Sequence, residues 1–99
     1  MNSTAQLPYE LHTHGSGAFV IFNVADQIAL PLIALGRATL RTTRERDELV
    51  LEFQNTEAVI EGHYLASMLD HLLTGRVKKI SCARDATCEV TRICITETH

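Results

Sequence analysis

Residues Glu57–Ile80, EAVIEGHYLASMLDHLLTGRVKKI, decide the fold. The stretch reads as a strand, a glycine at Gly62, an amphipathic helix, a glycine stop and the start of another strand. Leu65, Met68, Leu69, Leu72 and Leu73 fall at i, i+3, i+4, i+7 and i+8, which predicts a helix over about 64–74 with one core-facing stripe. Gly75 supplies a left-handed stop, with Arg76 just beyond it. Burying the five side chains would contribute roughly 1.5–3 kcal/mol each before entropy is subtracted. The helix is therefore expected to be the lid of the core.

The residues on either side read as strands. Leu49–Gln54 alternates, with Leu49, Leu51 and Phe53 inward. A turn at Asn55–Thr56 with Gln54 opposite Glu57 would pair Phe53 with Ala58, Leu51 with Ile60 and Leu49 with Gly62. Arg37–Thr43 alternates too, placing Ala38, Leu40 and Thr42 on one side. The charged run Arg44–Glu48 between them reads as a solvated turn. Downstream, Val77–Cys82 and Cys88–Thr96 read as two strands joined by the polar loop 83–87. The fold class expected is α+β. It consists of a mostly antiparallel curved sheet, or partial barrel, of about six or seven strands capped by one helix.

The first hairpin departs from this pattern. Ala18–Val24 and Gln27–Leu30 would turn at Ala25–Asp26, with Val24 opposite Gln27. One face then carries Phe19, Ile21, Ile28 and Leu30, and the other Val20, Phe22, Val24 and Ala29. Both are apolar, whereas a half-exposed antiparallel sheet alternates. The N-terminal tail, another part of the fold or a second subunit must cover the second face, and Val20, Phe22, Val24 and Ala29 are the expected interface of a homodimer. Residues 1–17 are polar, with Pro8, Gly15 and Gly17, and read as a tail, partly extended at Tyr9–His14. Residues 18–99 read as a single domain.

Composition narrows the function classes. The chain has 99 residues, 45% hydrophobic and 21% charged, which suits a folded domain rather than a disordered one. Nine basic and twelve acidic residues give a net charge of -3, which disfavours nucleic acid and membrane surfaces as partners. No apolar run approaches membrane-spanning length. No basic start precedes an apolar region, so a cytoplasmic location without a signal peptide is expected. The three cysteines, Cys82, Cys88 and Cys94, cannot all pair within one chain. Free thiols are expected, and a bridge between Cys82 and Cys88 is left open, because it depends on their Cα separation.

Few residues form a pattern with chemical meaning. His63, Ser67, Asp70, His71 and Thr74 fall in one arc of the expected helix. A nucleophile there would need a base, a strained turn and oxyanion donors, and only the first has a candidate. No enzyme is expected. His12 and His14 point the same way in an extended strand, but two imidazoles alone do not make a metal site, so no metal or cofactor is expected. Basic residues gather at Arg37, Arg41, Arg44 and Arg46, and again at Arg76, Lys78, Lys79 and Arg84. Glu45, Asp47, Glu48 and Glu52 interleave with the first group. Neither group has an aromatic residue beside it in sequence, so a solvated face is the expected reading.

From Leu30 to Ile80 the order of pieces resembles the LytTR class of bacterial DNA-binding domains. The shared elements are P-L-x-x-L (Pro31, Leu32, Leu35), a strand hairpin and a leucine-spaced helix (Leu65, Leu69, Leu72). The resemblance implies a nucleic-acid-binding regulatory domain. Such domains carry a basic Arg- and His-containing recognition segment after the helix. Here that place reads GRVKKISCARDAT. Three functional expectations therefore stand. The first is a non-enzymatic interaction or assembly domain, dimeric or bound to another protein through the apolar hairpin. The second is a nucleic-acid-binding regulator. The third is a small ligand-binding protein or enzyme built on His63, Ser67 and His71.

Overall fold

Asn55, with φ of 64°, takes the left-handed position at the tip of the central hairpin, a conformation Asn tolerates better than Thr does. The computed structural model describes residues 7–98. The turn residues are Gln54 and Asn55, so β5 (Asp47–Phe53) pairs with β6 (Thr56–His63) through Phe53–Thr56, Leu51–Ala58 and Leu49–Ile60. The expected register is thus displaced by two residues. The inward set survives, because side chains alternate with period two.

Among the described residues, nine strands and one α-helix make an α+β fold of two sheets. β4 (Leu35–Thr42), β5, β6, β9 (Glu89–Glu97) and the two-residue β8 (Ala83–Arg84) form an antiparallel sheet in the order β4-β5-β6-β9-β8. β1 (Tyr9–Leu11), β7 (Val77–Ser81), β2 (Phe19–Asn23) and β3 (Gln27–Pro31) form the second, in the order β1-β7-β2-β3. Among the described strands, only the β2–β7 pair is parallel. The last two expected strands, β7 and β9, therefore belong to different sheets. A short 3-10 turn, Leu32–Ala34, carries the chain from one sheet to the other.

The helix α1 spans Ala66–Leu73, shorter at both ends than the apolar spacing predicts. Leu65 precedes it and is fully buried with Met68. At the far end the Gly75 N–H bonds the Leu72 carbonyl and the Arg76 N–H bonds the His71 carbonyl. Gly75 sits at φ of 73°, so the expected glycine stop is present as a Schellman motif. Leu73 is 64% exposed, against the expected stripe. It lies about 140° round the helix axis from Met68, whereas Leu72 lies only about 40° away.

Residues from Pro8 onward belong to the folded body rather than to a tail. Pro8 is buried, its carbonyl accepts the Ser81 N–H at 2.9 Å, and β1 pairs with β7. The earlier part of the expected tail, residues 1–6, lies outside the described residues. The core lies between the sheets and beneath α1, and includes Val20, Phe22, Leu49, Leu51, Ile60, Leu65, Met68, Val77 and Ile80. Phe22 meets Phe53 edge to face at 6.2 Å between ring centroids.

Candidate functional site

The first hairpin turns through three residues, Val24–Asp26, because Asn23 rather than Val24 pairs with Gln27. This one-residue change re-sorts the faces. Val20 and Phe22 share a face with Leu30 and Ile28, and both are fully buried in the core. They are therefore unavailable to a partner, which corrects their expected place in an interface. Val24 is half-buried in the turn, and Ala29 is exposed on β3.

The exposed large apolar side chains nearby are Phe19, Ile33 and Leu73, at 53%, 96% and 64% exposure. Ile33 and Leu73 edge a groove of about 390 Å³. Leu32, Leu35, Leu72 of α1, Gly17 and Gly75 complete its lining. No lining residue is charged. Phe19 pairs with Pro31 at the end of the same hairpin.

A second surface forms where β6 meets α1. Tyr64 has φ of 59°, in the left-handed region that disfavours bulky side chains. That backbone turn sends Leu65 into the core and leaves Tyr64 77% exposed. His63 and Tyr64 separate two hollows. One, of about 270 Å³, adds Thr43, Arg44, Arg46 and Asp47; the other, of about 340 Å³, adds Arg84, Asp85, Cys88 and Glu89. His63 Nε2 lies 3.7 Å from a Glu89 carboxylate oxygen. The Asp85 carboxylate accepts the Thr87 N–H, the Thr87 hydroxyl and the Cys88 N–H at 2.8–3.0 Å. These bonds, led by those from Thr87, hold its carboxyl below the usual carboxylate range.

Nucleophilic chemistry finds little support at this site. Burial, reinforced by Asp85, Asp47 and Glu89, pushes the Cys88 thiol up to about 11. A thiol kept protonated is a poor nucleophile. All three cysteines are free, and Cys82 is exposed while Cys88 is buried.

Other residues suggested by the sequence do not converge. Ser67 and Asp70 lie exposed on α1 and line neither hollow, whereas His71 packs its ring 5.9 Å from that of Tyr9. His63 is on β6 and Thr74 is the C-cap, so of the expected arc Ser67, Asp70 and His71 lie on α1. His12 Nε2 is buried against Gly17 without a hydrogen-bond partner among the described residues, while His14 is exposed. Among the described residues no group of three His, Cys, Asp or Glu side chains is placed to hold a metal. No helix among them is long and apolar enough to cross a membrane.

Two basic segments far apart in sequence do meet. Arg44 and Arg46 from the β4–β5 turn line one of the two hollows that Tyr64 lines, and Arg84 from β8 lines the other. The local sequence puts no aromatic residue beside either segment; the fold supplies one. The available signal was Tyr64 itself, a large ring directly after the glycine-containing end of a strand. Arg41 instead pairs with Glu48 at 3.0 Å on the sheet surface.

No protein-family model, curated protein or solved structure matches this chain.

Proposed function

We propose that the chain is a non-enzymatic interaction domain that assembles as a homodimer through the Phe19–Ile33–Leu73 surface. A single observation carries this reading: Ile33 is 96% exposed beside an uncharged groove of about 390 Å³. An isoleucine in water loses the stabilisation that burial would bring. A two-fold interface must be self-complementary, and here each copy offers both a knob, Ile33, and a hollow beside it. Two chains that each carry a net charge of -3 also meet with least repulsion at a surface without charges. The free edge of β3 adjoins this surface, and Ala29 lies on it with a side chain small enough to let a neighbour approach.

Sedimentation across micromolar concentrations tests the proposal. A monomer–dimer equilibrium is expected, and Ile33→Glu or Leu73→Glu should shift it to monomer without loss of secondary structure. Because Val20 and Phe22 are core residues, Phe22→Glu should unfold the chain rather than merely separate copies. A monomer at every concentration would remove the proposal.

A further inference from the structure

We propose that the Tyr64 ridge binds a nucleobase bearing phosphate, presented by a free nucleotide or by a short single strand. This site is separate from the apolar surface assigned above to self-association. Tyr64 stands exposed on a two-residue connection whose left-handed backbone is unfavourable for a bulky side chain. Such backbone outliers concentrate at ligand clamps. An exposed ring is a stacking surface, and nucleobases stack on aromatic side chains whatever their sequence.

The two hollows set three guanidiniums, Arg44, Arg46 and Arg84, against three carboxylates. Three carboxylates line the two hollows, and each is engaged within the chain. Asp47 accepts the Leu65 N–H, Asp85 accepts three donors from Thr87 and Cys88, and Glu89 faces His63. Arg46 is held by Glu61 at 3.6 Å. The Arg44 and Arg84 side chains have no ion-pair partner among the described residues, and they line opposite hollows. A base on Tyr64 would carry its phosphate toward hollows that each hold one of these guanidiniums. The same acidic overall charge that disfavours a long nucleic-acid footprint is compatible with a ligand of one or a few nucleotides.

The chain has two tyrosines and no tryptophan, so its emission can be reduced to one ring. In a Tyr9→Phe chain, Tyr64 fluorescence is followed at low salt. The titrants are adenosine monophosphate, a short oligothymidine and inorganic phosphate. Quenching by the nucleotide or the oligonucleotide, absent with inorganic phosphate, is expected. Stronger quenching by the oligonucleotide identifies a strand as the source; equal quenching identifies the free nucleotide. Tyr64→Leu should weaken binding about tenfold or more. Arg44→Glu and Arg84→Glu should each weaken it and flatten its salt dependence. Tyr64 ring-proton shifts in the native chain provide the same readout should Tyr9→Phe fold poorly. No response to either nucleobase ligand, an equal response to inorganic phosphate, or undiminished binding by a folded Tyr64→Leu chain would overturn the proposal.

Discussion

The Asp47 carboxylate accepts the Leu65 backbone N–H at 3.1 Å, joining the first residue of β5 to the residue just before α1. The bond crosses between two elements that share no local turn. It satisfies the amide of a residue whose side chain is fully buried. Removing the acceptor leaves that amide without its partner. Asp47→Ala should therefore lower stability by about 1–3 kcal/mol, read as a reduced urea midpoint. Asp47→Asn keeps an acceptor oxygen and should lose less.

Tyr64 makes the opposite prediction. Its φ of 59° suits glycine better than any residue with a Cβ. Tyr64→Gly should raise stability by about 1 kcal/mol, while Tyr64→Ala, which retains the strain, should not. Urea unfolding followed by circular dichroism separates the two. A stabilised chain that no longer binds nucleobases would show that the strain serves the site rather than the fold.

Two glycines should differ sharply in their tolerance of alanine. Gly62 lies at the irregularity in the β6–β9 pairing, where a Cβ would overlap the Glu89 carbonyl oxygen. Backbone cannot rotate away as a side chain can, so Gly62→Ala should cost about 3 kcal/mol or more, at the upper end of overpacking effects. At Gly75 the cost is the left-handed φ and a mild contact with the Ser16 Cβ at 3.2 Å. Gly75→Ala should lose about 1–2 kcal/mol. Thermal unfolding of the two variants measures the difference.

Cys88 ties stability to alkaline pH. Burial first, then Asp85, Asp47 and Glu89, raise its thiol from 9.0 to about 11. The folded state therefore holds the proton more tightly than the unfolded state does. The resulting stabilisation is complete below pH 9.0 and is lost progressively as pH rises to about 11. Cys88→Ala should flatten that part of the stability profile. At neutral pH a thiol reagent should label Cys82 quickly, whereas Cys88 should react only when the chain opens.

Much of the fold could be read from local pattern. The helix is visible because Leu65, Met68 and Leu72 recur at helical spacing, and its end because Gly75 is the residue a left-handed stop requires. The inward sets of β5 and β6 are visible because alternation is a local property. Register is less visible, because it depends on which residue takes the left-handed turn. Asn55 in place of Thr56 moved one hairpin by two residues and kept its faces. A three-residue loop moved the first hairpin by one residue and exchanged them. That single step took Val20 and Phe22 from an expected interface into the core.

The candidate sites were harder to read, for a related reason. In the sequence Arg44 and Arg46 belong to one charged run and Arg84 to another, with no aromatic residue beside either. They share Tyr64 only because β4–β5, β8 and the β6–α1 connection come together at one end of the fold. Ile33 was hidden similarly, since an isoleucine near Pro31 in sequence carries no mark of 96% exposure.

The α+β class, the amphipathic helix with its glycine stop, and the alternation of the central strands all follow from residue order alone. Periodicity and turn preference act over a few residues and need no distant partner. The placing of β7 and β9 in different sheets, the pairing of Tyr9–Leu11 with β7, and the choice of apolar side chains left in water emerge from long-range packing. Those outcomes depend on how several elements divide one core among themselves, and local residue order does not express that division.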